Sequence, residues 1–285
     1  MAGILKVDRI QEANSGQGVE LSHKLVDTSG NTIISENNGV ATFGSSVAPS
    51  TNYTFRNKII NGNLKSARVI NQRGATSITG ATGYTYDRWY YDGGSNYLYQ
   101  GIEDLNVNNG TYVISWVGSD ITVEYLLSTD TTANNGWDGA GTFQTVANGG
   151  TFTVNESPEH GKHLWIRFSG TLSNLDKVMV EEGTVPTPFE YRPYGMELSL
   201  CKRYAQKMGV VIMTKMRELD RYRTAHYTFP VEMRGTPTVP PLSTNDSLSV
   251  SVGSLTSRGM ELYVLVPGDG YGAGITSYSV VSAEL

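Results

Sequence analysis

Thr111-Tyr-Val-Ile-Ser-Trp-Val117, Ile121-Thr-Val-Glu-Tyr-Leu-Leu127 and His163-Leu-Trp-Ile-Arg-Phe168 are extended runs of alternating character, bounded by Gly, Asn or Asp. Successive side chains of an extended chain point to opposite faces, so alternation of period two marks strands with one face on a core. In the third run Leu164, Ile166 and Phe168 are placed to face that core, with Trp165 and Arg167 facing outward. Gly141-Thr-Phe-Gln-Thr-Val146, Gly150-Thr-Phe-Thr-Val154 and Asp176-Lys-Val-Met-Val-Glu181 repeat the pattern. Short strands with turns at close intervals predict a sandwich, and residues 57–194 are read as a jelly-roll domain.

C-terminal to this block, Pro186-Thr-Pro-Phe-Glu-Tyr-Arg-Pro193 is held extended by its prolines. A linking helix is predicted over 195–208, because Leu198, Cys201, Ala205 and Met208 recur at helical spacing. Alternation resumes in Gly209–Lys215, Tyr222–Phe229, Ser247–Val252, Met260–Val266 and Ile275–Ser282, which predicts a small C-terminal β domain over 209–285. Toward the N-terminus, residues 1–56 read as short extended pieces (Ile4–Val7, Val19–Leu21, Thr32–Ile34, Val40–Phe43) between Gly- and Asn-rich turns. Each piece has few apolar residues, and isolated hairpins are marginal, so this region is either disordered or, the favoured reading, stabilised by neighbouring chains. The fold class is therefore mainly β: an extended N-terminal β region, a central jelly-roll sandwich, one linking helix and a small C-terminal β domain.

Composition agrees with many turns and short strands. Glycine numbers 32 and proline 10 among 285 residues, while charged residues make up only 17%, against a usual share of about 25%. A net charge of −5 without a basic run argues against binding a nucleic-acid backbone. No apolar run approaches the ~20 residues of a spanning helix, so no membrane insertion is expected. The start Met1-Ala-Gly-Ile-Leu-Lys6 leads into no apolar stretch, so no secretory signal is expected either. The single Cys201 has no internal disulfide partner, and folding in a reducing cytoplasm is the default.

The chemistry-bearing residues are sparse. His160 and His163 have metal-ligand spacing, but no second cluster completes a zinc set. Asp130, Asn134, Asn135 and Asp138 do not follow the calcium-loop pattern. Gly268-Asp-Gly-Tyr-Gly-Ala-Gly274 lacks the Lys-Ser/Thr of a phosphate loop and reads as a hairpin loop. No nucleophile elbow exists, and Cys201 reads as a small buried hydrophobe. Asp87, Asp92, Glu103, Asp104 and Glu124 could supply a glycosidase pair, although spacing selects none. The expectation is a non-enzyme with no cofactor and no metal.

Aromatic residues are more informative. Tyr84, Tyr86, Trp89, Tyr90, Tyr91, Tyr97 and Tyr99 crowd one short stretch, and Trp137 sits in a Gly/Asn-rich loop. Exposed rings beside Asn, Asp and Gly can stack on sugar C–H faces while polar neighbours take the hydroxyls. Trp89 is assigned to the core. Tyr91, Tyr97 and Trp137, with Asp269 and Tyr271 in the C-terminal glycine-rich loop, are the candidate glycan contacts.

Two segments go beyond composition. Asn57-Lys-Ile-Ile-Asn-Gly-Asn63, Ile70-Asn-Gln-Arg-Gly74 and Tyr84-Thr-Tyr-Asp-Arg-Trp89 resemble the opening of a jelly-roll module of bacteriophage tail-fibre and related virion proteins. Val178-Met-Val-Glu-Glu-Gly-Thr-Val-Pro-Thr-Pro-Phe-Glu-Tyr-Arg-Pro-Tyr194, followed by Glu197-Leu-Ser-Leu-Cys-Lys-Arg-Tyr204, resembles the closing strand and helix of that family. Phe229-Pro-Val-Glu-Met-Arg-Gly-Thr-Pro-Thr238 through Ser282-Ala-Glu-Leu285 is similar to the C-terminal unit that often follows. The resemblance implies a virion fibre assembled in the cytoplasm of an infected bacterium. It would be a homotrimer, docked on tail, baseplate or capsid proteins through residues 1–56 and meeting host surface polysaccharide with its distal domains. It implies structural roles for its motifs: Asp87 and Arg88 pairing across a sheet, Phe189 and Tyr191 sealing the sandwich. A decoration fibre without receptor binding and a glycan-degrading tail spike are the alternatives.

Overall fold

The computed structural model of the chain describes residues 25–26, 32–37, 40–43, 55–129, 142–155, 162–210, 215–216, 221–242, 249–266, 270–271 and 277–284. Two compact units divide the chain, Met1–Tyr53 and Thr54–Leu285. In the first, β1 (Leu25–Val26), β2 (Thr32–Asn37) and β3 (Val40–Phe43) form a three-stranded antiparallel sheet. Asn37 stands opposite Val40, a separation that suits the Asn-Gly pair between them. The expected pieces Ile4–Val7 and Val19–Leu21 lie outside the described residues.

The second unit begins with a β sandwich. Its larger sheet has six strands, β4 (Gly83–Tyr84), β5 (Tyr90–Asp92), β6 (Tyr97–Ile102), β8 (Ile121–Ser128), β9 (Gln144–Val146) and β11 (His163–Gly170), in the order β4-β5-β6-β11-β8-β9. Its smaller sheet has three, β7 (Gly110–Val117), β10 (Thr151–Val154) and β12 (Asp176–Glu182), in the order β10-β7-β12. Between β6 and β12 the chain changes sheet at every step except β8 to β9, which is jelly-roll wiring.

The predicted alternation places the core. Leu98, Val123, Leu164, Ile166 and Phe168 from the large sheet meet Tyr112, Ile114, Phe152, Val178 and Val180 from the small one in one buried cluster. Trp89 joins them, fully buried, with its indole N–H donating to the Asn61 carbonyl at 2.9 Å. Each such aromatic contributes ~1.5–3 kcal/mol by leaving water. Trp165 does face away from this core, but it is only 1% exposed, in a second cluster with Tyr90, Tyr99, Leu126 and Tyr204. The outer face of the large sheet is thus partly covered. Trp165 also needs Gly101 opposite it, since a Cβ there would lie 2.9 Å from the indole ring.

The segments that carry the resemblance clasp each other. Asn57 Oδ1 accepts from the amides of Ile59 and Val180 at 2.9 and 3.1 Å, and its Nδ2 donates to the Val178 carbonyl at 3.0 Å. Asn61 does the same for Ile70 and Asp87. From the closing segment, Glu190 accepts from the Asn57 amide, Glu197 accepts from the Asn61 amide, and Arg192 donates to the carbonyls of Asn57 and Ile59. Buried backbone groups near the chain crossing are thereby satisfied by side chains.

Three expectations need correction here. The helix, α1, spans Tyr194–Lys202 and stops short of 208, because Ala205–Val210 is a strand, β13, paired with β19 (Ser277–Ser282). Ala205 and Met208 are buried on that strand, and Cys201 is the buried residue of the helix. Asp87 and Arg88 do not pair with each other. Arg88, at a positive φ of 74°, turns to Glu284, whereas Asp87 accepts from Gln72 at 3.1 and 2.7 Å. Nor does Tyr191 seal the sandwich: it packs edge-on against Phe189 but is 64% exposed.

The remaining strands are β14 (Lys215–Met216), β15 (Arg221–Thr228), β16 (Ser249–Thr256), β17 (Gly259–Val266) and β18 (Gly270–Tyr271). They form the sheet β15-β17-β16 and the pair β14-β18. Met208, Phe229, Met233, Met260, Leu262 and Val281 make a core separate from that of the sandwich.

Candidate functional site

Register aligns one row of side chains across the whole outer face of the large sheet. Tyr84 stands opposite Tyr90, Tyr90 opposite Tyr99, Tyr99 opposite Arg167, Arg167 opposite Glu124 and Glu124 opposite Thr145. The rings interlock edge to face, with centroids 5.2 Å apart for Tyr84–Tyr90 and 6.4 Å for Tyr90–Tyr99, a geometry favoured by their quadrupoles. Arg167 lies between the rings of Tyr97 and Phe143, its guanidinium carbon 4.2 and 3.9 Å from their centroids, and its Nε donates to Glu124 at 2.8 Å.

At one end the row is covered. Tyr204, just after α1, is 1% exposed, and the Arg88 guanidinium carbon sits 3.5 Å from its ring centroid. At the other end Tyr97, Phe143, Arg167 and Glu124 are half-buried, and Gln144 and Thr145 are exposed. Asp92 is the cross-strand partner of Tyr97 and accepts from the Gly94 amide at 3.0 Å and from the Ser95 hydroxyl. The Ser95 hydrogen bond leads in holding the Asp92 carboxyl below its ordinary range. Half-exposed rings, a fixed carboxylate acceptor and a guanidinium on a rigid sheet can stack on a sugar and take its hydroxyls.

The sequence-derived candidates separate. Tyr97 lies on this face. Tyr91 stands opposite Leu98 and packs from the other side against the sandwich core, with its hydroxyl donating to Asn96 Oδ1 at 3.1 Å. Tyr271 is in β18, paired with Lys215 of β14. Trp137 and Asp269 lie outside the described residues. Tyr99, Phe143 and Arg167 were missed as site residues. Tyr99 belonged to the aromatic cluster, but the Arg167 and Phe143 contacts needed the β11 and β9 registers.

Three of the acidic candidates are committed within the fold, while the Asp104 side chain lies outside the described ones. Glu103 is buried and pairs with Arg203 at 3.2 Å, Glu124 pairs with Arg167, and Asp87 is buried under Gln72. Among the described residues no group of three or more His, Cys, Asp or Glu side chains could hold a metal ion. His163 is buried on β11, and His160 lies outside the described residues. The Cys201 thiol is buried and pushed well above its ordinary value, chiefly by that burial.

No family model matches the chain, and no curated protein matches it in sequence. Among solved structures, wild-type discoidin II from Dictyostelium discoideum overlays at 11% identity and a TM-score of 0.22, covering 81% of this chain and 92% of that one. Recombinant discoidin II of Dictyostelium discoideum in its native form overlays at 13% identity and a TM-score of 0.16, covering 80% and 90%. Scores this low leave the fold class to the chain's own sheets, which define a mainly β protein built around a sandwich.

Proposed function

We propose that this chain is a non-enzymatic structural fibre protein of a bacteriophage, homotrimeric and docked on other virion proteins through residues 1–56. Its distal β domains contact host surface glycans. The observation that carries the glycan reading is the half-exposed Tyr97 ring beside the fixed Asp92 carboxylate on the outer face of the large sheet. The short strands at the N-terminus, of two, six and four residues, favour stabilisation by other copies. The motif residues that resemble virion proteins hold the sandwich together, so they support the fold part of the reading and carry no catalytic role. Trp137 and Asp269 are kept as loop contacts, Tyr271 as a contact on β18, and Tyr91 as a half-buried ring on the core-facing side of β5.

The test is adsorption of purified protein to host cells and to extracted surface polysaccharide, with Tyr97→Ala, Trp137→Ala and Tyr271→Ala made separately. Reduced adsorption in the Tyr97 variant with an unchanged circular-dichroism spectrum is the expected result. Unchanged adsorption in all three overturns the glycan reading. Steady release of reducing ends on the same polysaccharide would replace the fibre by the glycan-degrading alternative.

A further inference from the structure

At one end of the sandwich a depression of about 380 Å³ opens to solvent between the end of β7 and the edge of the large sheet. Trp116, Gly118, Asp120, the start of β8 and residues 145–148 line it. That volume lies in the range of small-molecule sites, about 300–1,000 Å³. The turn carrying Asp120 is held from behind. Its carbonyl accepts from the Thr171 amide at 2.9 Å, and a Cβ on Gly118 would lie 2.5 Å from the Asn174 carbonyl oxygen. Asp120 itself has a φ of 57°, a conformation that Asp tolerates better than most residues. This wall of the depression is therefore preformed.

Trp116 is the residue that points to a ligand. It belongs to the sandwich core and is only 8% exposed. Asn148 answers both of its backbone groups, Oδ1 accepting from the amide at 3.1 Å and Nδ2 donating to the carbonyl at 2.9 Å. The indole N–H, by contrast, has no hydrogen-bond partner among the described residues, whereas that of Trp89 in the same cluster donates to Asn61. Nor is it sealed from solvent, so its outlet is the depression that Trp116 lines. A buried indole N–H ordinarily finds an acceptor. Here the acceptor has to come from whatever fills the depression. Among the described lining residues only Asp120 carries a charge, so the lining is negative and offers an anion no partner. Ile121 and Ala147 add accessible apolar surface.

We propose that this depression holds one unit of a neutral glycan. A sugar oxygen accepts from the Trp116 indole N–H, a hydroxyl donates to the Asp120 carboxylate, and the C–H surface of the sugar rests on Ile121 and Ala147. A water molecule answers only the first of these features, while a neutral sugar answers all three. Acidic sugars bring a second negative charge to Asp120 and are disfavoured. The inference does not rest on the outer-face site, with which this depression shares only Thr145.

The experiment titrates the full chain, its four tryptophan indoles labelled with nitrogen-15, with tetrasaccharides of glucose, galactose and mannose and with one of galacturonic acid. Nuclear magnetic resonance follows the indole N–H signals, and that of Trp116 is assigned by its loss in Trp116→Phe. It is expected to move with at least one neutral sugar and to stay in place with the acidic one. Calorimetry with that neutral sugar should show binding about tenfold weaker in Asp120→Asn and about fivefold weaker in Trp116→Phe, the loss of one charged and one neutral hydrogen bond. Asp120→Asn should also remove most of the bias against the acidic sugar. Tyr97→Ala should leave the Trp116 shift unchanged, even though it tests the outer-face site. A Trp116 signal that no neutral sugar moves, that the acidic sugar moves equally, or that stops moving in Tyr97→Ala overturns the proposal. Asp120 is exposed and Asn accepts the same backbone conformation, so that variant keeps the test open should Trp116→Phe fail to fold. Undiminished neutral-sugar binding in Asp120→Asn overturns the proposal as well.

Discussion

Glu284 meets Arg88 in an ion pair whose side chains are 3% and 1% exposed, and so joins the C-terminal segment to the turn preceding β5. Arg73 reaches the same carboxylate at 3.2 Å. Arg88 also donates to the Gly101 carbonyl and lies over Tyr204. Burial acts to lower the Arg88 pKa, but Glu284, with Tyr204 and Tyr84, holds it above its ordinary value. Two cores separated in sequence are thus bridged by charge.

Removing one partner of this pair leaves the other charge buried and unanswered. Glu284→Ala is expected to destabilise the second unit by about 3–5 kcal/mol, and the double replacement Arg88→Met with Glu284→Leu by less. Urea unfolding followed by tryptophan fluorescence checks both. A single variant as stable as the parent would show that the pair contributes nothing.

Asp87 gives a pH signature. Burial pushes its carboxyl from 3.8 up to about 6, against the hydrogen bond from Gln72 and the charge of Arg73. The folded form therefore holds a proton that the unfolded chain has released. This contribution is fully present below about pH 3.8 and is lost as pH rises through about 6. Relative to Asp87→Asn, the parent should gain stability as pH falls from 7 to 5. Parallel melting profiles across that window would contradict the assignment.

Gly101→Ala should cost about 1–3 kcal/mol, since the added methyl meets the indole of Trp165 and the close-packed layer around it has little room to relax. Trp165→Leu in the same background should recover part of the loss. Chemical denaturation of the three variants decides it.

The proposed assembly is checked by light scattering. A mass three times that of the monomer is expected for the full chain, and removal of residues 1–56 should shift it toward monomer. A full chain that stays monomeric across a concentration series would remove the trimer from the functional reading.

How much was legible depends on the range of the interaction. Leu164, Ile166 and Phe168 announced their burial because a strand's two-residue period is written locally. Trp165 was legible as facing the other way, but its burial was not, since its cover, Tyr204, arrives from beyond α1. The helix was overextended for a related reason. Leu198, Cys201, Ala205 and Met208 satisfy helical spacing, yet residues 205–210 instead satisfy their backbone groups by pairing with residues 277–282.

The site followed the same division. The tyrosine cluster was visible in the sequence, but Tyr91 and Tyr97 fall on opposite faces of the sheet because β5 and β6 are aligned through Tyr91 opposite Leu98. By itself the sequence determined the mainly β class, the inward-facing residues of the central strands and the importance of the two clasping segments. Only the tertiary structure decided which aromatic rings share a face, which are covered, and that Arg88 answers Glu284 rather than Asp87. Side-chain alternation and turn chemistry act between neighbours along the chain, whereas register, cover and buried charge pairing are settled between residues that meet only after the chain has closed on itself.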